Sequence, residues 1–125
     1  MTKTIAIYTF ISISLLFFYT AQPKADVPDS QKPEVEYLLK FVETTDCEFE
    51  RNGKKYNGER ASKHIKRKYK HFRDDITTTE EFIEYSATFS TRSGKPYLVY
   101  CSDSNPVESS TWLLEELAQF REQNI

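Results

Sequence analysis

The sequence contains few of the residues and motifs from which catalytic and metal sites are usually built. Its 125 residues include only two histidines, two cysteines and three glycines. A glycine-rich phosphate loop, a Gly-x-Ser-x-Gly nucleophile turn and an HExxH zinc helix are all absent from it. Carboxylates are numerous, but none stands out as a buried pair. We therefore predict that the chain is not an enzyme and needs no cofactor.

Long apolar runs are also scarce, and the one that exists lies at the start of the chain. Residues 5–19 carry no charge, follow Lys3, and precede the small residues Ala21 and Ala25. This layout is typical of a secretory signal peptide, and the run is short for a membrane span. We predict a signal peptide at residues 1–25, cleaved after Ala21 or Ala25, a periplasmic location and no stable membrane insertion after cleavage. An uncleaved N-terminal anchor is the alternative.

The two cysteines, Cys47 and Cys101, both follow the predicted signal peptide. Exported proteins reach an oxidising compartment, where such a pair usually forms a disulfide. We therefore predict a Cys47–Cys101 disulfide, which would close a long loop and stabilise the fold by about 4 kcal/mol. A cysteine nucleophile or a metal site is the alternative, for which the chain offers few further ligands.

The rest of the chain is long enough for one domain with a modest core. Residues 26–33 are polar, contain two prolines and are predicted to be a flexible lead-in to a compact domain at residues 34–125. Four stretches of this domain have the apolar spacing or the capping residues of helices. They are a helix from Pro33 to Thr44, one over residues 59–72, one after a capping box at residues 77–80, and one beginning at Asn105, Ser109 or Ser110.

Two further stretches predict strands. Asn52-Gly53 is a strong hairpin signal, because both residues tolerate the positive φ of a type I′ turn, and residues 97–101 are rich in β-forming side chains. The sequence therefore predicts an α+β fold with a small antiparallel sheet (the hairpin plus one strand), about four helices on one face, and one disulfide. The predicted hairpin pairs are Phe49–Tyr56, Glu50–Lys55 and a solvated Arg51–Lys54 pair.

Basic residues are concentrated on the predicted second helix and the hairpin before it. Ten Lys and Arg lie between Arg51 and Arg73, against one acid, Glu59, although the chain as a whole is acidic. Such polarity can steer a charged partner to one face. A nucleic-acid partner is not expected, because the domain is not basic overall and export removes the usual partners. Helix 59–73 is therefore either a solvated face or a docking surface for an anionic envelope component or protein.

His64 and His71 are seven positions apart on the same predicted helix and share a face. With Asp74 or Asp75 they would form a metal site, which is the basis of an alternative hypothesis: an envelope enzyme or metal-binding protein. Ordinary packing or solvation is favoured over this, because His64 adjoins Ile65 and His71 lies in a basic run that repels cations. We predict no metal site.

The loop over residues 90–97, "STRSGKPY", combines hydroxyl, guanidinium, ammonium and aromatic groups on one turn. Its simpler interpretation is a turn that leads into a strand. Its functional interpretation is a recognition loop, because loops on a rigid scaffold carry most binding. The predicted binding residues are Arg92, Ser93, Lys95 and Tyr97.

Three stretches, "FERNGKKYNGERASKHIKRKY", "TTTEEFIEYSATFSTRSGKPYLV" and "WLLEELAQFR", give the chain a family resemblance. Together they resemble the YfeK-like exported bacterial proteins, over residues 34–121. The resemblance implies a periplasmic location and a compact domain. It transfers no catalytic residue, because that family has no assigned function.

Two hypotheses for the function follow. The first is a periplasmic binding protein, in particular an inhibitor or immunity-type protein that blocks a cell-wall (peptidoglycan) hydrolase. It rests on a likeness to that class in size, location, disulfide and missing catalytic residues. The second is the envelope enzyme or metal protein using His64 and His71. The first predicts a protein partner, and the sequence leaves homo-oligomerisation open.

Overall fold

The computed structural model describes residues 19, 25–102 and 105–125. Nearly all of the predicted signal peptide, residues 1–25, lies outside this part of the chain. The described part has an α+β fold, as predicted, and none of its helices is long and apolar enough to cross a membrane. In chain order the elements are α1 (Lys32–Thr44), β1 (Glu48–Arg51), β2 (Lys54–Tyr56), α2 (Gly58–Phe72), α3 (Thr79–Ala87), β3 (Leu98–Tyr100), β4 (Val107–Glu108) and α4 (Ser109–Gln123), with a 3₁₀ turn at Arg73–Asp75.

The strands form one antiparallel sheet in the order β2-β1-β3-β4. The predicted hairpin register is confirmed: Phe49 pairs with Tyr56, Glu50 with Lys55 and Arg51 with Lys54. Asn52 and Gly53 both have positive φ, at 52° and 78°, as a type I′ turn requires. Strand β4 was not predicted, because two residues are too few to show an alternating pattern.

The predicted disulfide is also confirmed. Cys47 immediately precedes β1 and Cys101 immediately follows β3, two strands that pair with each other. Their Cα atoms are 4.4 Å apart and their sulfurs are bonded. The disulfide therefore closes the end of the β1–β3 ladder that lies away from the hairpin turn.

The hydrophobic core lies between the inner face of the sheet and the helices. Because side chains alternate along a strand, Phe49 and Arg51 share the inner face of β1, and Glu50 lies on the outer face. Part of the predicted lead-in packs against this core: Val27 is only 3% exposed, and α1 already begins at Lys32. The hydrophobic side chains less than 2% exposed in the core are Leu38, Val42, Ile76, Phe82, Ile83, Ala87, Val99, Leu113 and Leu117.

The ends of the helices show how the chain turns between elements. Asn57 caps α2 by accepting a hydrogen bond from the backbone N–H of Arg60 at 3.0 Å. The N-cap of α3 lies one residue later than predicted: Thr78, not Thr77, accepts a hydrogen bond from the backbone N–H of Glu81. The carboxylate of Glu81 in turn accepts from the backbone N–H of Thr77. Because Thr77 and Thr78 are adjacent, the sequence predicts either of them as the N-cap equally well, and the packing of the helix decides between them.

Candidate anion-binding groove

A cavity of about 720 Å³ lies between the hairpin turn, α2 and the loop over residues 90–97. We call it the basic groove. Of its lining residues in the described part of the chain, five are Lys or Arg and none is Asp or Glu. It is lined by Arg51, Asn52, Lys54, Tyr56, His64, Lys68, Ser90, Thr91, Arg92, Ser93, Lys95 and Tyr97.

Three elements bring the floor of the groove together. Arg51 is on the inner face of β1, so its side chain extends towards α2 instead of into solvent as predicted for the Arg51–Lys54 pair. His64 and Lys68 are four residues apart on α2 and therefore lie on one face of that helix. Tyr97 precedes β3, and its carbonyl accepts a hydrogen bond from the backbone N–H of Ser109 at 2.9 Å.

The Arg51 guanidinium determines the state of His64. Arg51 Nη1 lies 2.6 Å from Nδ1 and 3.0 Å from Nε2 of His64, and since arginine can only donate, we assign the nearer nitrogen, Nδ1, as the acceptor. The ring proton is thereby assigned to Nε2, which donates to the hydroxyl of Tyr97 at 3.1 Å. Burial, followed by the charges of Arg51, Lys68 and Arg67, lowers the pKa of His64 to about 4. His64 is therefore neutral at neutral pH.

Lys68 is the second cation of the floor and is only 9% exposed. Its ammonium donates to the carbonyl of Phe89 at 2.7 Å and to the hydroxyl of Tyr97 at 3.2 Å. Burial, and then the charge of Arg51, lowers the pKa of Lys68. None of the ion pairs in the described part of the chain involves Lys68 or Arg51.

Tyr97 is placed differently from the prediction. We expected its ring at the rim of the loop, but the residue is 6% exposed and its hydroxyl lies in the floor. Burial raises the pKa of Tyr97. Because the hydroxyl accepts from both His64 and Lys68, its own proton is left to donate into the groove.

The other predicted binding residues, Arg92, Ser93 and Lys95, are exposed and form one rim of the groove. Hydrogen bonds hold this loop in shape: the backbone N–H groups of Ser90 and Gly94 donate to the carbonyls of Lys95 and Ser90. The side chain of Asn52 ties the loop to the hairpin through Ser90 at 3.1 Å and through Ser93 at 2.5 Å. The cations of the rim are thus displayed on a braced loop.

A smaller cavity of about 70 Å³ adjoins the floor, and we call it the side pocket. Arg51, Tyr56, His64 and Tyr97 line both cavities. Phe49, Ala61 and Ile65 form an apolar part of the remaining wall, and Arg60 and Arg67 also line the pocket. Glu50 also contributes, but its carboxylate accepts from Tyr100 at 2.9 Å on the outer face of the sheet.

Ser109 is a further lining residue of the side pocket and is only 1% exposed. Its hydroxyl has no hydrogen-bond partner among the described residues. Buried hydroxyls are almost always hydrogen-bonded in folded proteins. The hydroxyl of Ser109 is therefore a polar group in the side pocket that still needs a hydrogen-bond partner.

The second histidine of the metal hypothesis has different surroundings. His71 is exposed and its ring packs edge-on against Phe72, while His64 lies among cations. The described residues contain no group of three or more His, Cys, Asp or Glu that could hold a metal ion. His64 and His71 are thus not brought together with acidic side chains in this part of the structure.

Sequence reasoning did not identify Arg51, His64 and Lys68 as one site. One signal was available: position 68 is three residues after Ile65 and seven after Ala61, on the apolar face of α2. A lysine within an apolar stripe is unusual and points to a cation that is kept out of water.

Comparisons with known proteins agree with the resemblance seen in the sequence. A family model described as a family of unknown function, DUF5329, matches residues 29–121. The chain is 34% identical over 74 residues to the protein "Uncharacterized protein YfeK" of Salmonella typhimurium. This match covers 58% of the chain and 62% of the relative's length. No solved structure matches the chain. The family match extends over most of the described domain, and the chain therefore belongs to the DUF5329 family.

Proposed function

We propose that the chain is an exported, non-enzymatic binding protein whose basic groove holds an acidic group of a protein partner. The observation that carries this proposal is that five cations line the groove, whereas no carboxylate lines it among the described residues. Burying a charge without a counter-charge costs free energy, and Arg51 and Lys68 are both partly or largely buried. An acidic group from outside would offset this cost.

Export is supported by the disulfide. Bonded cysteines persist mainly in oxidising compartments such as the periplasm, and Cys47 and Cys101 are bonded. The predicted signal peptide at residues 1–25 would direct the chain across the inner membrane. We therefore propose a periplasmic location.

The more specific form of the proposal is an inhibitor or immunity-type protein that blocks a cell-wall hydrolase. Glycan-cleaving enzymes use a pair of carboxylates in an open cleft, which is a suitable target for exposed cations. Arg92 and Lys95 are exposed on a loop whose shape is already fixed by hydrogen bonds, so binding would lose little ordering entropy. Tyr97 is not part of this contact, because its side chain is buried in the floor.

The test is affinity capture from an envelope extract of the organism that makes the protein, followed by binding measurements with the captured partner. We expect Arg92→Ala or Lys95→Ala to weaken binding by about 2 kcal/mol, as central charged contacts do. The matched control is Lys70→Ala, since Lys70 is exposed on α2 and does not line the groove. For the specific form, the captured partner should cleave peptidoglycan, and adding the protein should slow it.

Two results would contradict the proposal. If Arg92→Ala and Lys95→Ala are folded and bind as tightly as the unmodified protein, the rim of the groove is not the contact surface. If repeated capture yields no specific partner, the binding-protein proposal itself is wrong.

A further inference from the structure

The floor of the basic groove presents donors that lack matching acceptors. Among the described residues, Arg51 Nη2 has one hydrogen-bond contact, a long one of 3.4 Å to the hydroxyl of Tyr56, and the guanidinium carbon lies 5.0 Å from the centroid of that ring. The hydroxyl proton of Tyr97 is left over once His64 and Lys68 have donated to its oxygen. Arg51, Lys68 and Tyr97 all line the basic groove, and contacts of 3.0 to 3.2 Å link them, with His64 between Arg51 and Tyr97. Two positive charges and an O–H group in one place are the complement of an oxyanion.

The side pocket indicates what the anion is attached to. Its walls are apolar at Phe49, Ala61 and Ile65, and its volume of about 70 Å³ is about half that of a cavity known to accept benzene. It therefore has room for a methyl to isopropyl group and is too small for a phenyl ring. The unpartnered hydroxyl of Ser109 adds one polar contact, suited to an amide N–H or C=O.

We infer that the floor and the side pocket together bind a carboxylate carried on a carbon with a small apolar substituent. The carboxylate oxygens accept from Arg51, Lys68 and Tyr97, and the apolar substituent enters the side pocket. A free phosphate would satisfy the donors but would leave the side pocket empty. This inference goes beyond the proposed function, because a small carboxylate can occupy the floor without a protein partner at the rim.

The first experiment compares small probes on the purified protein by calorimetry and by NMR of the His64 ring. The probes are acetate, N-acetylalanine, N-acetylvaline, N-acetylphenylalanine, N-acetylalaninamide and inorganic phosphate. We expect N-acetylalanine and N-acetylvaline to bind at least about tenfold more tightly than acetate or phosphate, because they also bury apolar groups. The uncharged N-acetylalaninamide should not bind, and N-acetylphenylalanine should bind no better than acetate.

The second experiment tests the donors with a matched pair of variants. Lys68→Met replaces the cation with an apolar side chain of similar length, so the variant should fold, and its affinity for N-acetylvaline should fall about tenfold or more. Lys70→Met makes the same change at an exposed position of the same helix and should leave the affinity unchanged. Arg51→Gln should also weaken binding by about tenfold or more.

A third comparison distinguishes two sources of such a carboxylate: the carboxyl end of a peptide chain and a free small molecule. If the tripeptide Gly-Gly-Ala binds at least as tightly as N-acetylalanine, the natural ligand is the carboxyl end of a peptide chain. If it binds more weakly, the ligand is a free small carboxylate. Either result supports the inference, provided that amidation of the carboxylate abolishes binding.

Three results would overturn the inference: no saturable binding of any probe, phosphate binding as tightly as N-acetylvaline, or undiminished binding by Lys68→Met. Its failure can be separated from that of the proposed function. Arg92→Ala and Lys95→Ala change only the rim, so they should keep the affinity for N-acetylvaline within about twofold. They should nevertheless weaken capture of a protein partner.

Discussion

Lowering the pH should destabilise the protein through His64. The pKa of His64 is about 4 in the folded protein, against 6.5 for an ordinary histidine. As the pH falls below 6.5, the unfolded chain takes up a proton on this residue while the folded protein does not. The contribution of His64 to stability is therefore complete above pH 6.5 and is lost progressively between pH 6.5 and about 4.

The magnitude follows from the difference between the two pKa values. Each unit corresponds to about 1.4 kcal/mol, so the full difference of 6.5 minus about 4 corresponds to about 3 kcal/mol. Between about pH 7 and pH 5, the expected loss is about 2 kcal/mol. Glu34, Glu80 and Glu81 have lowered pKa values in the folded protein. The stability that these carboxylates provide is lost at lower pH than this window, as each of them becomes protonated.

The assay is urea unfolding followed by the fluorescence of Trp112 at several pH values, on the unmodified protein and on His64→Gln. Glutamine retains a polar side chain but does not titrate, so His64→Gln should lose about 2 kcal/mol less than the unmodified protein over this window. Equal pH dependence in both proteins, or a ring titration of His64 near 6.5 by NMR, would refute the reasoning and the assigned contact with Arg51.

Three further predictions concern the fold and are each measured by urea unfolding. Gly53→Val should cost about 1–3 kcal/mol, because a β-branched residue resists the φ of 78° at this turn; unchanged stability would mean that another turn type is tolerated. Gly58→Ala should cost at least about 2 kcal/mol, because its Cβ would lie 2.1 Å from the carbonyl oxygen of Val42; a neutral effect would show that α1 and α2 separate easily. Replacing both Cys47 and Cys101 with alanine should cost about 4 kcal/mol, and a loss below about 1 kcal/mol would contradict a stabilising link across 54 residues.

The parts of the fold that depend on neighbouring residues were predictable from sequence. The hairpin register, the cap at Asn57 and the inward positions of Phe82 and Ile83 all arise from signals within a few residues of one another. The disulfide was predictable for a different reason: with only two cysteines in the sequence, there is one possible intramolecular pairing.

The candidate site was not predictable in the same way, because its floor is made by residues that are distant in sequence. Taken alone, each of these residues had an ordinary interpretation. Arg51 was predicted at a solvated strand end, Lys68 on a basic helix face and Tyr97 at the edge of a loop. Only packing of the inner face of β1 against α2 converts the three into one buried cluster. The loop at Arg92 was predicted as a binding element, and the structure places it at the rim of that cluster.

The bracing of the groove by Asn52 has a consequence for the order of events while the chain is being synthesised. The hairpin and α2 are complete once the chain has reached Phe72, but Ser90, Ser93 and Tyr97 come later. Contacts between such distant positions form late, because the intervening chain must first be ordered. A chain that has emerged only as far as α3 therefore has its basic helix but no groove. The groove therefore forms only when the last third of the chain has emerged and the fold is closed.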